Sequence, residues 1–367
     1  MLTRRQFVRI GAAAAAAPFC SRAQAKGFAS YRGAVVIDAL GSPRAPDDLA
    51  PWGPLTPRAI ADARASGLTA CNVTVGVGGA PWDDVIRRFA WCEREFEAHP
   101  DAFLKITREA HLREAKAQGK MGIIYCVQGL SFIGEDLDRL DTLHGLGLRI
   151  GQLTYNLRAV TGDGCLEPGN AGLSRFGRMV IERVEKLRMV LDLSHGGRQT
   201  IAEAVAVAKQ PLITHTGCAA INEHPRNVPD DVLRAVAQKG GVVGIYFMPF
   251  LRSSGQPQVD DVLRHIEHAV NVAGEDHVGI GSDGTIGAIT IDDAYRKAHA
   301  EFVARRRKLG IAAPGEAEDV FNFVPELNEP RRMERLAELL ARRGFAERRV
   351  LKILGGNFAR AFGEVWG

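Results

Sequence analysis

The chain has 367 residues, of which 46% are apolar, 25% charged and 7% aromatic. That composition excludes a disordered chain, a collagen-like repeat and a disulfide scaffold. The formal charge of +4 comes from Arg4, Arg5, Arg9 and Arg22; without them the basic residues equal the 43 acidic ones, so nothing points to nucleic acid or anionic lipid as a partner.

The chain opens with an address. Thr3-Arg4-Arg5-Gln6-Phe7-Val8-Arg9 precedes an apolar, alanine-rich stretch at residues 10–19, and Ala23-Gln24-Ala25 offers small residues before a cut at Lys26. This pattern predicts a twin-arginine export signal over residues 1–25 and a periplasmic or otherwise exported mature chain. The apolar stretch is too short to span a bilayer, so no stable membrane insertion is expected. Five cysteines remain beyond it: Cys71, Cys92, Cys126, Cys165 and Cys218. None has Cys-x-x-Cys spacing, and buried free thiols are the default expectation.

Residues 26–367 read as one α/β domain. Apolar runs of strand length lie at 35–40, 69–76, 121–128, 149–155, 189–195, 211–216, 241–248 and 277–283. Near-continuous apolar runs are the mark of parallel strands buried on both faces. Amphipathic helical patterns separate them, for example at 82–98, 229–238 and 258–273. Residues 305–330 form a charged, then Pro- and Gly-containing excursion, followed by closing helices near 330–343 and 346–354. Eight such units predict a (β/α)₈ TIM-type barrel with C-terminal closing helices. A doubly wound sheet would carry a Gly-rich phosphate turn after the first strand, and Asp38-Ala39-Leu40-Gly41-Ser42-Pro43 is not one.

In a barrel the chemistry gathers at the C-terminal strand ends. Strand five ends Asp192-Leu193-Ser194-His195, strand six Thr214-His215-Thr216 and strand eight Gly281-Ser282-Asp283-Gly284. Two histidines and an aspartate converging on one mouth can hold a divalent ion and move a proton. Arg226, in the loop after strand six, suits a substrate carboxylate. Tyr155 and Asn156, after strand four, are expected to shape the pocket or donate to a carbonyl oxygen.

DLSH at 192–195, THT at 214–216, HPRNVPDD at 224–231, VGIGSD at 278–283 and ILGGNFARAF at 353–362 resemble the membrane (renal) dipeptidase family, and GDGCLEPGNAGLSRFGR at 162–178 resembles its bacterial members. The resemblance runs in order through nearly all of residues 33–363. It implies a metallohydrolase of dipeptides and related small amides, often a dimer, in which two zinc ions share a bridging glutamate. One of those ions takes a His-x-Asp pair on strand one, the other takes histidines on strands five and six. Carried over, His195 and His215 are metal ligands, Asp283 is the acid/base group and Arg226 binds the substrate carboxylate.

The sequence departs from that pattern at three places. Leu40 and Ser42 stand where the strand-one histidine and aspartate are expected, and Gln128 where the bridging glutamate is expected. All three serve the same ion, so at most one zinc is anticipated, on His195 and His215, with Gln128 or Asp283 as a third contact. Asp38, two residues before Leu40 and on the same strand face, is a candidate replacement ligand. The leading expectation is an exported hydrolase of a dipeptide or small amide with a free carboxylate. The alternatives are a non-catalytic binding or peptide-maturation protein, and a metal-independent tautomerase or lyase on the same scaffold.

Overall fold

The computed structural model describes residues 28–44 and 53–367. The export signal assigned to residues 1–25 lies outside them. Eight barrel strands alternate with helices: β1 (Ile37–Ser42), β2 (Ala70–Val77), β3 (Met121–Gln128), β4 (Leu148–Gln152), β5 (Val190–Asp192), β6 (Ile213–Cys218), β7 (Val243–Ile245) and β8 (Val278–Ile280), with short accessory strands at Phe103–Lys105, Asn227–Val228 and Gly284–Thr285. All eight fall within or overlap the expected runs. β1 to β5 pair in parallel as one sheet and β6 to β8 as another. The sheets meet at two seams. A parallel bridge joins Asp192 to Leu212, and the Leu193 amide donates to the Leu212 carbonyl at 2.8 Å. At the other seam Gly41 pairs with Gly284, and the Asp283 amide donates to the Leu40 carbonyl at 2.8 Å. The strands therefore encircle one interior, with helices outside: the (β/α)₈ architecture.

β3 shows why the apolar runs are continuous. Met121, Ile123, Tyr125 and Val127 pack in the cluster beneath the helices, while Ile124 and Cys126 belong to the cluster inside the ring. Alternation then carries Gln128 to the inner face, at the C-terminal end. The flanking helices start and stop where local chemistry dictates. Thr56 Oγ1 accepts from the Ala59 amide at 3.2 Å at the start of α1 (Pro57–Ser66), with proline in the first turn and Gly67 in the left-handed region after it. Ser174 does the same for the Gly177 amide at 2.8 Å at the start of α5 (Arg175–Lys186). Such caps contribute about 1 kcal/mol each.

Two helices escaped the sequence reading. One is Asp293–Lys308, α9 in chain order, which precedes the irregular excursion. The other is Asn357–Trp366, α12. The Gly355-Gly356 pair reads as a helix stop, yet its function is close approach. A Cβ on Gly355 would lie 2.6 Å from both the Val35 carbonyl oxygen and the Ile37 amide, so only glycine lets the chain pass there and continue as helix. α12 then puts Phe358, Phe362 and Trp366 into the inner cluster with Ile37, Ala70, Val190, Leu212 and Val242. Those five stand at or beside strand starts, so α12 plugs the N-terminal end of the ring. The C-terminal end is left for the site. All five described cysteines are free, four of them buried, as expected.

Candidate active site

Asp192 organises the ends of β5 and β6. Its fully buried carboxylate accepts the Ser194 amide and hydroxyl at 3.0 and 2.7 Å, the Thr214 amide at 2.9 Å and the Thr214 hydroxyl at 2.7 Å. Burial raises its carboxyl, and these donors oppose that rise. The clamp fixes the turn on which His195 sits with φ 63°, a left-handed conformation rare outside glycine. Asp283, at the end of β8, has φ 56°. Among the described residues, two of the four non-glycine residues with positive φ are thus the two strand-end groups singled out for chemistry. Strain of this kind gathers at functional sites.

The rings of His195 and His215 lie 4.9 Å apart between centroids. The Thr214 hydroxyl gives its one hydrogen to Asp192, so it accepts from His215 Nδ1 at 2.8 Å. Asn156 Nδ2 donates to the Ile311 carbonyl at 2.7 Å, which turns Oδ1 toward His195 Nδ1. Both protons therefore sit on Nδ1, and each Nε2 carries a free lone pair. Both Nε2 atoms are buried without a hydrogen-bond partner. Burial, then the neighbouring Arg226, holds both imidazoles well below their usual range, so they are neutral. Neutral, oriented imidazoles with orphaned Nε2 atoms suit a metal ion. Asn156 is spent on positioning His195 rather than free to donate to a substrate carbonyl. Tyr155 stacks on His195 at 4.4 Å.

The rest of a two-ion centre does not fit. Among the described residues no three His, Cys, Asp or Glu side chains gather around one point. Leu40 and Ser42 line a cavity of about 300 Å³ together with Gln128 and Asp283. The Gln128 amide donates to Thr74 Oγ1 at 3.0 Å. Asp38 is no replacement ligand. It is fully buried and its oxygens accept the Ser282 amide and hydroxyl at 2.7 and 2.6 Å, which ties β1 to β8. Asp283 is half-buried. Burial pushes its carboxyl up to about 7, against the pull of Arg226 and Arg306 and with a push from Asp38 and Glu316.

Arg226 is buried, and its Nη2 has no partner. Its backbone is fixed on both sides: the amide donates to His224 Nδ1 at 3.1 Å and the carbonyl accepts the Thr216 hydroxyl at 2.8 Å. The guanidinium lies 5.7 Å from the Tyr246 ring centroid, and the Cys165 thiol lies against it. A desolvated cation held this way is costly unless an anion completes it. The Cys165 loop reaches the site because of Gly164, where any Cβ would stand 1.8 Å from the Tyr155 carbonyl oxygen.

A cover over the mouth was not foreseen. Arg306 of α9 donates to Glu316 at 2.6 and 2.9 Å and to the Tyr155 hydroxyl at 3.0 Å. The Pro314 carbonyl meets His224 Nε2 at 2.9 Å, and Ile311 holds Asn156. Residues 311–316 are thereby fastened to three residues that support the site. The signal was present in the sequence: His299, Phe302, Val303 and Arg306 share one helical face, which marks Arg306 as the inward member of the run Arg305–Lys308.

The family model described as membrane dipeptidase, peptidase family M19, matches residues 82–297, more than half of the chain. Dipeptidase verJ of Clonostachys rogersoniana is 34% identical over 173 residues, which are 46% of this chain and 45% of that protein. The match therefore spans less than half the length of that curated relative. The crystal structure of an amidohydrolase from Pseudomonas aeruginosa superposes with a TM-score of 0.79 at 29% identity, over 92% of this chain and 98% of that one. A metallo peptidase from Rhodobacter sphaeroides, liganded with a phosphinate mimic of the dipeptide L-Ala-D-Ala, superposes with a TM-score of 0.72 at 20% identity, over 91% of this chain and 99% of that one, and shows the shared fold. With its fold, its paired strand-end histidines and this match, the chain belongs to the membrane dipeptidase family, peptidase family M19.

Proposed function

We propose that the chain is an exported hydrolase of a small amide bearing a free carboxylate, such as a dipeptide, working with at most one divalent ion. The observation that carries this reading is the placement of Asp283. Its carboxyl, pushed up to about 7, borders a cavity and sits in the field of the unsatisfied Arg226 guanidinium. A proton-transfer group works best with its pKa near the working pH. Export is supported by Arg4-Arg5 and Ala23-Gln24-Ala25.

His195 and His215 would hold the ion, zinc in this family. When bound it would supply Lewis-acid polarisation of the substrate carbonyl. Arg226 receives the substrate carboxylate in its planar fork. Tyr155 and Asn156 keep His195 in place by stacking and by the hydrogen bond to Nδ1. Asp283 takes a proton from the attacking water as the new C–O bond forms. It returns that proton to the amide nitrogen as the C–N bond breaks. The products are a carboxylic acid and an amine.

The test is amine release from a panel of dipeptides and N-acyl amino acids by the wild type and by Asp283→Asn. Release by the wild type and loss of about 10²–10⁴-fold in the variant is expected. Release from no member contradicts the hydrolase. The replacement of three ligand positions by Leu40, Ser42 and Gln128 favours one second reading, a binding protein that keeps the Arg226 pocket without turnover. Tight binding of a panel member without amine release would select it.

A further inference from the structure

The segment His224-Pro225-Arg226-Asn227 gives the site its arginine, and its histidine has a task of another kind. His224 is buried, with its ring stacked on Phe250 at 4.6 Å between centroids and 10° between planes. Its two ring nitrogens meet opposite kinds of partner. Nε2 lies 2.9 Å from the Pro314 carbonyl, which only accepts, so Nε2 carries the proton. Nδ1 lies 3.1 Å from the Arg226 amide, which only donates, so Nδ1 offers a lone pair. His224 is therefore the opposite tautomer to His195 and His215. Exchanging that tautomer would set a lone pair against the carbonyl at one end and N–H against N–H at the other. Protonation would lose the contact to Arg226 alone. Burial, with Arg226 beside it, holds the imidazole below its usual range, against the Pro314 carbonyl, Glu316 and Glu223.

Both contacts lead to the site. Pro314 belongs to the cover at 311–316. Arg226 starts its side chain from a backbone held at the amide by His224 and at the carbonyl by the Thr216 hydroxyl, 2.8 Å away. Pro225, between them, has a fixed φ and disfavours helical backbone at His224. The next residue is pinned as well. Asn227 Oδ1 accepts the Tyr246 hydroxyl at 2.5 Å, and its Nδ2 donates to the Asn222 and Phe250 carbonyls, each at 2.8 Å. Among the described residues Arg226 Nη2 has no hydrogen-bond partner. The fork is thus aimed from its base, and the His224 imidazole is part of that base.

We propose that His224 is a positioning residue for the carboxylate site: its imidazole joins the cover at Pro314 to the Arg226 amide and so sets the direction in which the guanidinium meets a substrate carboxylate. This rests on the reading of Arg226 as the carboxylate-binding group. The probes are N-acetyl-alanine and N-acetyl-alaninamide, which differ at the carboxylate. Calorimetry gives both dissociation constants in Asp283→Asn protein, where cleavage is suppressed, and in the same protein carrying Arg226→Ala, His224→Gln, His224→Phe or His224→Asn. Glutamine keeps a donor for Pro314 and offers nothing at the Nδ1 place. Phenylalanine keeps the stack on Phe250 and has no acceptor. Asparagine returns an acceptor, Oδ1, to the Nδ1 place.

The parent should prefer the acid over the amide. That preference should fall by roughly fivefold or more, the scale of one hydrogen bond, in His224→Gln and His224→Phe, and by less than about twofold in His224→Asn. An unchanged preference in the first two, beside its loss in Arg226→Ala, overturns the positioning role and leaves the carboxylate reading standing. An equal loss in His224→Asn overturns it too, since a merely structural loop would behave so. No preference in the parent, or none lost in Arg226→Ala, sinks the carboxylate reading and the proposal with it. Should the His224 variants fail to fold, nitrogen NMR of the histidine-labelled parent decides. A His224 ring protonated on Nε2 alone is expected, and a proton on Nδ1 overturns the proposal.

Discussion

At the residue scale the account turns on Asp283 and Arg226. Asp283 rises from its usual value to about 7 because burial disfavours the charged carboxylate. As the base toward water it must be ionised, so kcat/KM should climb with pH and level off above about 7. Asp283→Asn should remove that limb, and asparagine tolerates the positive φ of the position. The same shift affects stability. A folded-state value above the unfolded one means that stability is fully present below the unfolded value and is lost as pH rises through about 7. Asp283→Asn should therefore melt close to the wild type at pH 4 and higher than it at pH 8. A melting difference independent of pH would remove the shifted carboxyl. For Arg226, charge-assisted pairing contributes about 1.5–3 kcal/mol. Arg226→Ala should weaken binding of an N-acyl amino acid by roughly 10- to 100-fold. It should leave the corresponding amino-acid amide, which lacks the carboxylate, unaffected. Unchanged binding of the acid would take Arg226 out of the pocket. The candidate residues were legible because they stand at strand ends. Asp192 and Thr214 stand there too, but their role as the clamp that fixes the His195 turn and the His215 tautomer depends on side-chain directions that spacing does not give.

At the element scale all eight barrel strands could be read, because strands buried on both faces leave continuous apolar runs. The run 121–128 coincides with β3, while those of β5 and β7 outlast the hydrogen-bonded strands at 190–192 and 243–245. The apolar character there continues into strand-end loops that are themselves buried. α12 was hidden by Gly355-Gly356, a stop signal used instead for close packing. α9 was hidden by its charge, since most of its residues are exposed. Its inward Arg306 and Glu316 form a buried pair, with side chains 13% and 4% exposed. Breaking such a pair leaves an uncompensated charge and costs about 3–5 kcal/mol. Glu316→Gln should lower the melting temperature markedly. Arg306→Met with Glu316→Leu should recover most of it, because an apolar pair replaces the ionic one at little net cost. The double variant should still turn over slowly, since Tyr155 has lost the donor that holds it over His195. Full activity in the double variant would show that the cover does not position the site.

At the scale of the whole molecule, one end of the barrel is sealed and the other carries the candidate site. α12 fills the N-terminal end with aromatic rings, 5.6 Å apart for Phe358 and Phe362 and 4.8 Å for Phe362 and Trp366. Residues 311–316 cover the opposite mouth. Within the described residues no helix is long and apolar enough to cross a membrane. The proposed export signal makes a separate prediction: the mature chain should begin at Lys26 and accumulate outside the cytoplasm. Intact mass and fractionation check it, and an uncleaved cytoplasmic chain would contradict it. The family resemblance supplied the expected ligand places, and Leu40, Ser42 and Gln128 stand at three of them. No periodicity argument could have shown that a cavity stands there instead.

The central claim is that this scaffold has kept the half of the metal site built on His195 and His215 and converted the other half to a pocket. Metal per chain, by elemental mass spectrometry, tests it most directly. The folded protein is purified without chelators, equilibrated with zinc and freed of loosely held ions, beside a His195→Ala variant. The account predicts no more than one tightly held ion per wild-type chain and none in the variant. Two ions per chain, or one that survives the loss of His195, would contradict it.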